Sequence, residues 1–250
     1  MVHALSQADF DRLKRLDTCT VSNVIERLNV RLRNEGFAYD TVRCLFPALG
    51  PMLGYAVTGT IRSSIQPITG GWYYDRPEWW ESLLAVPAPR VLVLQDVDRV
   101  PAFGAFVGEV HANIASGLGC IGCVTNGAVR DLPGMEPLRF QVFAAGVSPS
   151  HAYAHVIEWG QPVEIGGLKI HQGDLVQGDC HGVQTIPADI APQIPSLADE
   201  LRAREQELIA ACHEPGFSIE HLRVALERSR RDGSNAAGAD PIRTANTGQP

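Results

Sequence analysis

The chain has 250 residues, of which 45% are hydrophobic and 20% are charged, and its formal net charge is −7. This composition is ordinary for a globular protein and excludes a disordered or collagen-like chain. The negative net charge provides no global field for a phosphate backbone, so we expect no nucleic-acid partner.

The N-terminus lacks a basic stretch followed by an apolar segment, and no apolar run approaches the ~18 residues that a membrane helix needs. We therefore expect a cytoplasmic protein that does not contact a membrane. In that compartment six cysteines are expected to stay reduced: Cys19, Cys44, Cys120, Cys123, Cys180 and Cys212. Cys120 and Cys123 form a C-x-x-C inside an apolar run, which is typical of buried structural thiols; a redox pair would lie at a helix start.

The periodicity of apolar residues predicts two N-terminal helices followed by alternating strands and helices. Ser6 and Asp9 resemble a capping box before the first helix. In chain order the pattern predicts a helix over 20–29, a strand over 54–63, a helix over 77–86, a strand over 90–97, a helix over 108–119, strands over 120–127 and 139–147, hairpins within 161–187, and helices over 196–230 that break at 215–216. The sequence thus predicts an α/β fold with one domain over 1–230 and a flexible tail over 231–250.

Gly117, Gly119 and Gly122 match the letters of a dinucleotide-binding fingerprint. That fingerprint requires a strand before the glycines and a helix after them, so that pyrophosphate meets the helix N-terminus. Here the predicted helix precedes the glycines and the strand follows them. We therefore interpret these glycines as the end of one element and the start of the next.

A better anion site lies at the start of the same helix. If the helix begins after Gly108, the first free N–H groups, on residues such as Val110 and His111, face outward at the positive end of the helix dipole. A carboxylate would fit there. The alternative is that Gly108 is a loop glycine and Glu109 is only a favourable acid in the first turn.

Arg130 and Asp131 follow the predicted strand over 120–127. Charged side chains at the end of a buried strand are costly unless they are solvated or compensated. They form either a solvated surface pair or part of a site in which a ligand balances both charges.

Residues 108–134 and 167–187 resemble the RraA-like family, which includes the class II aldolases of 4-hydroxy-4-methyl-2-oxoglutarate and 4-carboxy-4-hydroxy-2-oxoadipate. The family pattern combines a Gly–acid pair, a helix, a G-x-x-G strand and D-G-x-x-R-D, and this chain supplies Gly108, Glu109, Gly119, Gly122, Gly127, Arg130 and Asp131. Asn126 stands where the aldolases commonly have Asp, and residues 180–182 read Cys-His-Gly where they often have Asp-Asp-Gly. The resemblance covers about residues 16–228 and implies a single-domain αββα sandwich with N- and C-terminal helices.

The resemblance also implies a metal-dependent lyase. Cleavage beside a 2-oxo group leaves a pyruvate enolate, so the catalyst needs a divalent cation and fixed positive charge. Mg²⁺ or Mn²⁺ would be bound directly by Asp131 and through water by Glu109, and Arg130 would contact the substrate. The N–H groups of Val110 and His111 would hold the pyruvyl carboxylate, with Gly108 and Gly127 permitting close approach. Either retro-aldol cleavage of 4-hydroxy-2-oxo diacids or oxaloacetate decarboxylation would fit.

Family members complete the site with acids from a neighbouring subunit, so the resemblance implies a homotrimer or homohexamer with sites at subunit interfaces. Glu205 is the nearest counterpart of the acid in the C-terminal helices. Family resemblance also leaves open a non-catalytic regulator that binds ribonuclease E.

A third interpretation is a zinc or redox protein built on Cys120, Cys123 and Cys180. His151 and His155 are spaced to chelate on a helix, and Cys180 adjoins His181, although packing or contact with substrate would also explain these residues. The aromatic segment over 70–81 is more typical of a core or a subunit contact than of a ligand site.

Overall fold

A computed structural model describes residues 5–68 and 76–234, with side chains described to residue 227. The helices are α1 Gln7–Leu13, α2 Thr18–Leu28, α3 Pro77–Leu83, α4 Glu109–Gly117, α5 Leu132–Met135, α6 Ile194–Cys212 and α7 Ile219–Ser234. The strands are β1 Arg43–Cys44, β2 Met52–Arg62, β3 Arg90–Asp96, β4 Ala105–Val107, β5 Cys120–Val129, β6 Gln141–Val147, β7 His155–Trp159, β8 Val163–Ile165, β9 Leu168–Ile170, β10 Leu175–Asp179 and β11 Gly182–Ile186. The predicted α/β class is confirmed.

The domain boundary at residue 230 stays a prediction. Helix α7 extends to Ser234, and residues 235–250 of the predicted tail lie outside the described residues. Within the described part of the chain, no helix has the length and apolar character needed to cross a membrane.

Nine of the described strands form one mixed sheet with β1, β6, β5, β3, β2, β10 and β11 in that order, while β4 pairs with β5 and β7 pairs with β2. Strands β2, β3, β5 and β6 are parallel, and β10 runs antiparallel to β2. The side chains of β3 from Val91 to Leu94 are buried, as expected for a parallel strand covered on both faces. The carboxyl ends of the parallel strands therefore meet at one end of the sheet.

The sheet is nearly closed, because the segment over 37–44 connects its two edges. Phe37 forms a bridge to Gln184 of β11, and Arg43 pairs with Ala144 of β6. This closure brings β1 close to the turn between β10 and β11.

Apolar side chains fill two cores, one on each face of the sheet. The larger core contains the buried residues of α1, α2, α3, α4 and α6, among them Leu13 and Trp79. The smaller core lies under the β8–β9 hairpin and includes Ile165 and Ile170. Both N-terminal helices begin at side-chain caps, Ser6 for α1 and Asp17 for α2, which confirms the predicted Ser6 cap.

Helix α4 ends at Gly117 and β5 begins at Cys120, with Gly119 at a φ of +78° between them. This confirms that the helix precedes the glycines and the strand follows. Cys120 and Cys123 are buried in β5, and burial raises the pKa of both thiols, that of Cys120 to about 12. Protonated, buried thiols at these positions support a structural role over a redox pair.

The structure does not place His151 and His155 on a helix, the conformation in which their spacing would allow chelation. Ala152 and Tyr153 form a turn, and His155 begins β7, which pairs with β2 through His155 and Arg62. His151 Nδ1 lies 2.8 Å from the carbonyl oxygen of Ala105, and His155 Nδ1 lies 2.7 Å from that of Tyr153. The two rings therefore contact different parts of the backbone.

Aromatic residues of the segment over 70–81 contribute to the core where they are described. Trp79 is fully buried and its ring centroid lies 6.1 Å from that of Trp159. Residues 70–75 of this segment lie outside the described residues. The prediction of a core role is confirmed for Trp79.

Candidate active site

Glu109, Arg130 and Asp131 lie together at the carboxyl ends of two parallel strands, β4 and β5. The N–H of Arg130 donates to the carbonyl oxygen of Val107 at 2.9 Å, which places the residue after β5 beside the end of β4. In parallel α/β sheets, whether open or closed, ligands bind outside the carboxyl ends of the strands. The location therefore suits a functional site.

Gly108 allows Asp131 to lie against the first turn of α4. A Cβ at Gly108 would lie 2.7 Å from Oδ2 of Asp131 and 2.9 Å from Cγ of Arg130. Any side chain at this position would push the carboxylate away. Gly108 is the N-cap residue of α4 and has no side chain that could cap the helix. Because the Asp131 carboxylate lies against Gly108, it lies beside the positive end of the α4 dipole.

Gly134 has the same role for Glu109, and the sequence patterns did not identify it as part of the site. A Cβ at Gly134 would lie 2.5 Å from Cδ and 2.6 Å from Oε2 of Glu109. The two carboxylates thus each occupy space that a glycine leaves open. Gly127 differs, because a Cβ at this position would lie 3.1 Å from Oγ1 of Thr125 and 3.3 Å from Cβ of Asp96. The structure gives Gly127 a packing role toward Thr125 and Asp96.

Asp131 adopts the left-handed conformation, with a φ of +55°, and it is the N-cap of α5 without a side-chain cap bond. Its carboxylate instead accepts from Nε of Arg130, at 3.2 Å to each oxygen. No described residue accepts a hydrogen bond from the two Nη nitrogens of Arg130, so both remain available to an anionic ligand. The guanidinium can orient Asp131 and bind a second carboxylate at the same time.

The donors at this site suit a hard divalent cation. Mg²⁺ and Mn²⁺ prefer carboxylate and water oxygens, and Mg²⁺ commonly takes only one or two protein carboxylates. Asp131 is 40% exposed and Glu109 is exposed, so both carboxylates are accessible. Asp131 and Glu109 would hold such an ion, whose charge balances the two carboxylates, and Arg130 would balance the charge of an anionic ligand.

Val110 and His111 occupy the first turn of α4, and the first internal bond of the helix runs from the N–H of Ala112 to Gly108 at 2.9 Å. The N–H groups before Ala112 have no partner within the helix. Val110 is 56% exposed, whereas the His111 ring is fully buried. The side chain of His111 therefore belongs to the core, and only its backbone N–H lies at the exposed start of α4.

The His111 ring packs between Trp80 and Phe106, with centroids 4.7 Å and 4.6 Å away. Burial, and to a smaller extent the charge of His151, lowers the pKa of His111 to about 3. His111 is consequently neutral at physiological pH in the folded state.

Stability is expected to fall in mild acid because of His111. In the unfolded chain this histidine has a pKa near 6.5, so on acidification the unfolded state binds a proton that the folded state excludes until about pH 3. Between pH 7 and pH 5 this linkage should cost about 2 kcal/mol of unfolding free energy. Urea denaturation of His111→Phe should show a smaller loss of unfolding free energy between pH 7 and pH 5 than the wild type. His213→Gln, at the exposed end of α6, should lose as much unfolding free energy as the wild type. Equal losses in the wild type and His111→Phe would contradict the role given to His111.

Asn126, the first departure from the family pattern, has a structural role. Its Oδ1 accepts from the N–H of Asp96 at 2.7 Å and its Nδ2 donates to the carbonyl oxygen of Asp96 at 2.9 Å. The side-chain amide of Asn126 thus takes the place of backbone hydrogen bonds between β3 and β5. It does so beside the shift in β5–β6 register that follows Thr125. An aspartate could not donate the second bond.

Asp96 and Asp98 are two buried acids at the same end of the sheet that the sequence patterns missed. Asp98 accepts from the N–H groups of Ser63 and Ser64 at 2.7 Å and 2.8 Å, and Asp96 accepts from that of Ala102 at 2.9 Å. Burial raises the pKa of Asp96, whereas hydrogen bonds outweigh burial and lower that of Asp98. The two carboxylates hold the loops that follow β2 and β3. In the sequence these two acids follow directly after the apolar run of β3, and this position could have identified them.

Glu205 lies on α6, and its Oε1 accepts from Nδ2 of Asn23 in α2 at 3.4 Å. Its described contact is thus with the N-terminal helices of the same chain, apart from the group around Asp131.

The Cys-His-Gly sequence at 180–182, the second departure from the family pattern, lies in the turn between β10 and β11. Because Gly178 pairs with Met52 at the start of β2, this turn is at the opposite end of the sheet.

Comparison with known proteins agrees with this architecture. The model of the family described as RraA-like, Aldolase/RraA, matches residues 18–184. An uncharacterized protein from Pseudomonas syringae has a similar structure, with a TM-score of 0.69 and 21% identity over 90% of this chain and 96% of that chain. RraAS2 of Streptomyces coelicolor, described as an unusual member of the RNase ES inhibitor RraA protein family, has a TM-score of 0.63 and 21% identity over 82% and 96% of the two chains. These likenesses confirm the predicted RraA-like fold.

One relative, a protein from Halalkalibacterium halodurans, is named as a candidate 4-hydroxy-4-methyl-2-oxoglutarate aldolase. It is 34% identical to this chain over 84 residues, which cover 33% of this chain and 40% of the relative. A second relative, protein MJ0644 of Methanocaldococcus jannaschii, is 29% identical over 99 residues, 36% of this chain and 44% of that protein. The chain thus spans less than half the length of these curated relatives.

Proposed function

Because the chain belongs to the RraA-like family, we propose that it is a divalent-metal-dependent carbon–carbon lyase acting on 2-oxo acids. The family has an aldolase and decarboxylase branch and a branch of RraA proteins that inhibit ribonuclease E. The observation that carries the proposal is the contact of Arg130 with the Asp131 carboxylate at the start of α4, where Gly108 leaves room for Asp131 and Gly134 leaves room for Glu109. A surface that only binds a partner protein has no evident need for this arrangement.

The proposed reaction passes through the enolate of pyruvate. In a 4-hydroxy-2-oxo diacid a base removes the 4-hydroxyl proton, a C4=O carbonyl forms, and the C3–C4 bond breaks. The C4 fragment leaves as a second 2-oxo acid, and the electron pair of the broken bond becomes the enolate of pyruvate, which takes a proton at C3. In oxaloacetate the same bond breaks with loss of CO₂. A bound Mg²⁺ or Mn²⁺ would supply Lewis-acid stabilisation of the 2-oxo oxygen.

The side chains of this chain would bind and orient the substrate. Asp131 would hold the cation directly and Glu109 would hold it through water. The two Nη nitrogens of Arg130 would bind a substrate carboxylate in a forked contact. The N–H groups of Val110 and His111 would receive the pyruvyl carboxylate at the N-terminus of α4.

Substrate specificity is tested by measuring pyruvate release from oxaloacetate and from branched 4-hydroxy-2-oxo diacids, with Mg²⁺ or Mn²⁺ and against the rate with metal alone. We expect turnover of at least one class above that background. No turnover of either class, together with direct binding of ribonuclease E, would favour the regulatory branch.

We also propose a homotrimer or homohexamer that shares its sites between subunits. Val110 in α4 and Val147 at the end of β6 are 56% and 61% exposed and flank the site, because Val147 pairs with Val129 at the end of β5. Exposed apolar side chains beside a charged site suit a subunit contact. Such a contact would bring the proton-transfer acid, for which Glu205 is the candidate, from a neighbouring subunit.

Two inactive variants should then complement each other. Mixing Asp131→Asn protomers with Glu205→Ala protomers, under conditions that exchange subunits, should restore some sites with both residues intact. We expect activity above that of either parent, measured as pyruvate release, with subunit exchange followed by mass spectrometry. Exchange without recovery would show that Glu205 acts within its own chain or has no role.

A further inference from the structure

The turn between β10 and β11 places three metal-binding residue types at the end of the sheet opposite to the proposed active site. Asp179 is the last residue of β10 and pairs with Gly182, so Cys180 and His181 form the tip of a tight hairpin. Both tip residues are exposed, and ligand atoms of Asp179, Cys180 and His181 all lie within 4.8 Å of one another. Thiol, imidazole and carboxylate are the side chains that bind zinc in proteins.

The thiol and the imidazole lie close enough together to share one ion. With Zn–S near 2.3 Å and Zn–N near 2.0 Å, tetrahedral geometry separates sulfur and nitrogen by about 3.5 Å. Sγ of Cys180 lies 4.0 Å from Nε2 of His181, about 0.5 Å more than that separation, and 3.5 Å from Nδ1. Because the Cys180 side chain is exposed, its rotation would close this gap while the His181 ring stays in place.

Asp179 fixes the orientation of the His181 ring. The carboxylate is only 6% exposed, and it accepts from the N–H of Thr18 and from its hydroxyl, each at 2.7 Å. It also lies 3.1 Å from Nδ1 of His181. A carboxylate that accepts from Nδ1–H leaves the lone pair of Nε2 for a metal, an arrangement that is common around zinc.

We propose that this turn binds Zn²⁺ or a similarly soft transition-metal ion, with Sγ of Cys180 and Nε2 of His181 as ligands and Asp179 as a positioning residue. A cavity of about 480 Å³ adjoins the two ligands and is also lined by Cys44 of β1. The cavity has room for water or a small ligand to complete the coordination. Cys44 itself directs its thiol toward Oε1 of Gln141, at 3.6 Å, and is not assigned as a ligand.

The experiment uses Co²⁺ as a spectroscopic substitute for Zn²⁺, with the full chain kept reduced by a phosphine. Excess Mg²⁺ is present throughout, so that the hard carboxylate site does not compete for Co²⁺. We expect one equivalent of Co²⁺ to produce a thiolate-to-cobalt charge-transfer band that Zn²⁺ abolishes. This band reports sulfur ligation and is independent of lyase activity.

Variants locate the ligands. Cys180→Ser and His181→Gln, at exposed turn positions, should each abolish the band, while Cys212→Ser, an exposed thiol at the end of α6, should leave it unchanged. Asp179→Asn should weaken Co²⁺ binding by ~10-fold or more, as is typical for loss of a carboxylate behind a histidine ligand, and circular dichroism checks that each variant is folded. Absence of the band in the wild type, or its persistence in folded Cys180→Ser or His181→Gln, would overturn the proposal. Unchanged Co²⁺ affinity in folded Asp179→Asn would overturn the positioning role.

Discussion

Asp131→Asn is expected to lower the kcat of pyruvate release at least ~10²-fold, the size typical for loss of a main electrostatic stabiliser in an active site. Asparagine is the informative replacement, because it tolerates the left-handed conformation that Asp131 adopts at a φ of +55°. Alanine at this position would add backbone strain to the loss of the carboxylate. The expected loss therefore follows from the charge and not from the fold.

The chain offers a matched control in Asp40. This exposed carboxylate pairs with Arg43 at 3.2 Å, the same separation as between Asp131 and Arg130. Asp40→Asn should retain wild-type kcat. If Asp131→Asn stays within a few-fold of wild type while binding of Mn²⁺ is unchanged, Asp131 does not hold the catalytic cation.

Arg130→Lys is expected to be nearly as impaired as Arg130→Ala, with kcat/KM reduced ~10²-fold or more in both. The guanidinium can contact Asp131 through Nε and a substrate carboxylate through its two Nη nitrogens at once. A lysine ammonium is a single point charge and cannot make both contacts with this geometry. Steady-state kinetics of the two variants separates the loss in kcat from the rise in KM.

Arg43→Lys is the matched control and should leave kcat/KM unchanged, because Arg43 pairs with Asp40 away from the proposed site. Wild-type rates in Arg130→Lys would show that charge alone is sufficient. The forked contact with substrate would then be wrong.

The elements around the site were predictable from local patterns. Helix α4, its glycine break and β5 follow from periodicity and from Gly117 and Gly119, and the pair Arg130–Asp131 stands out because charged side chains are rare at the end of a buried strand. The structure places Gly108 at the start of α4 against Arg130 and Asp131, and Glu109 against Gly134. Their roles in catalysis remain predictions.

Features that depend on long-range packing could not be predicted. Gly134 appears in the sequence as a turn residue, and only its approach to Glu109 reveals why a side chain there is excluded. The spacing of His151 and His155 suits a helix, but pairing of β7 with β2 determines their conformation. Closure of the sheet through residues 37–44 depends on partners in β11 and β6 that lie more than 90 residues away along the chain.

Metal removal and restoration tests the central claim most directly. Pyruvate release from oxaloacetate and from a branched 4-hydroxy-2-oxo diacid is measured before EDTA treatment, after it, and after Mg²⁺ or Mn²⁺ is added back, for wild type and for Asp131→Asn, with the rate of metal alone subtracted. We predict that EDTA abolishes turnover by the wild type, that the added ion restores it, and that Asp131→Asn stays at least ~10²-fold slower at every metal concentration. Full wild-type turnover in EDTA, or restoration of Asp131→Asn to the wild-type rate, would contradict the account.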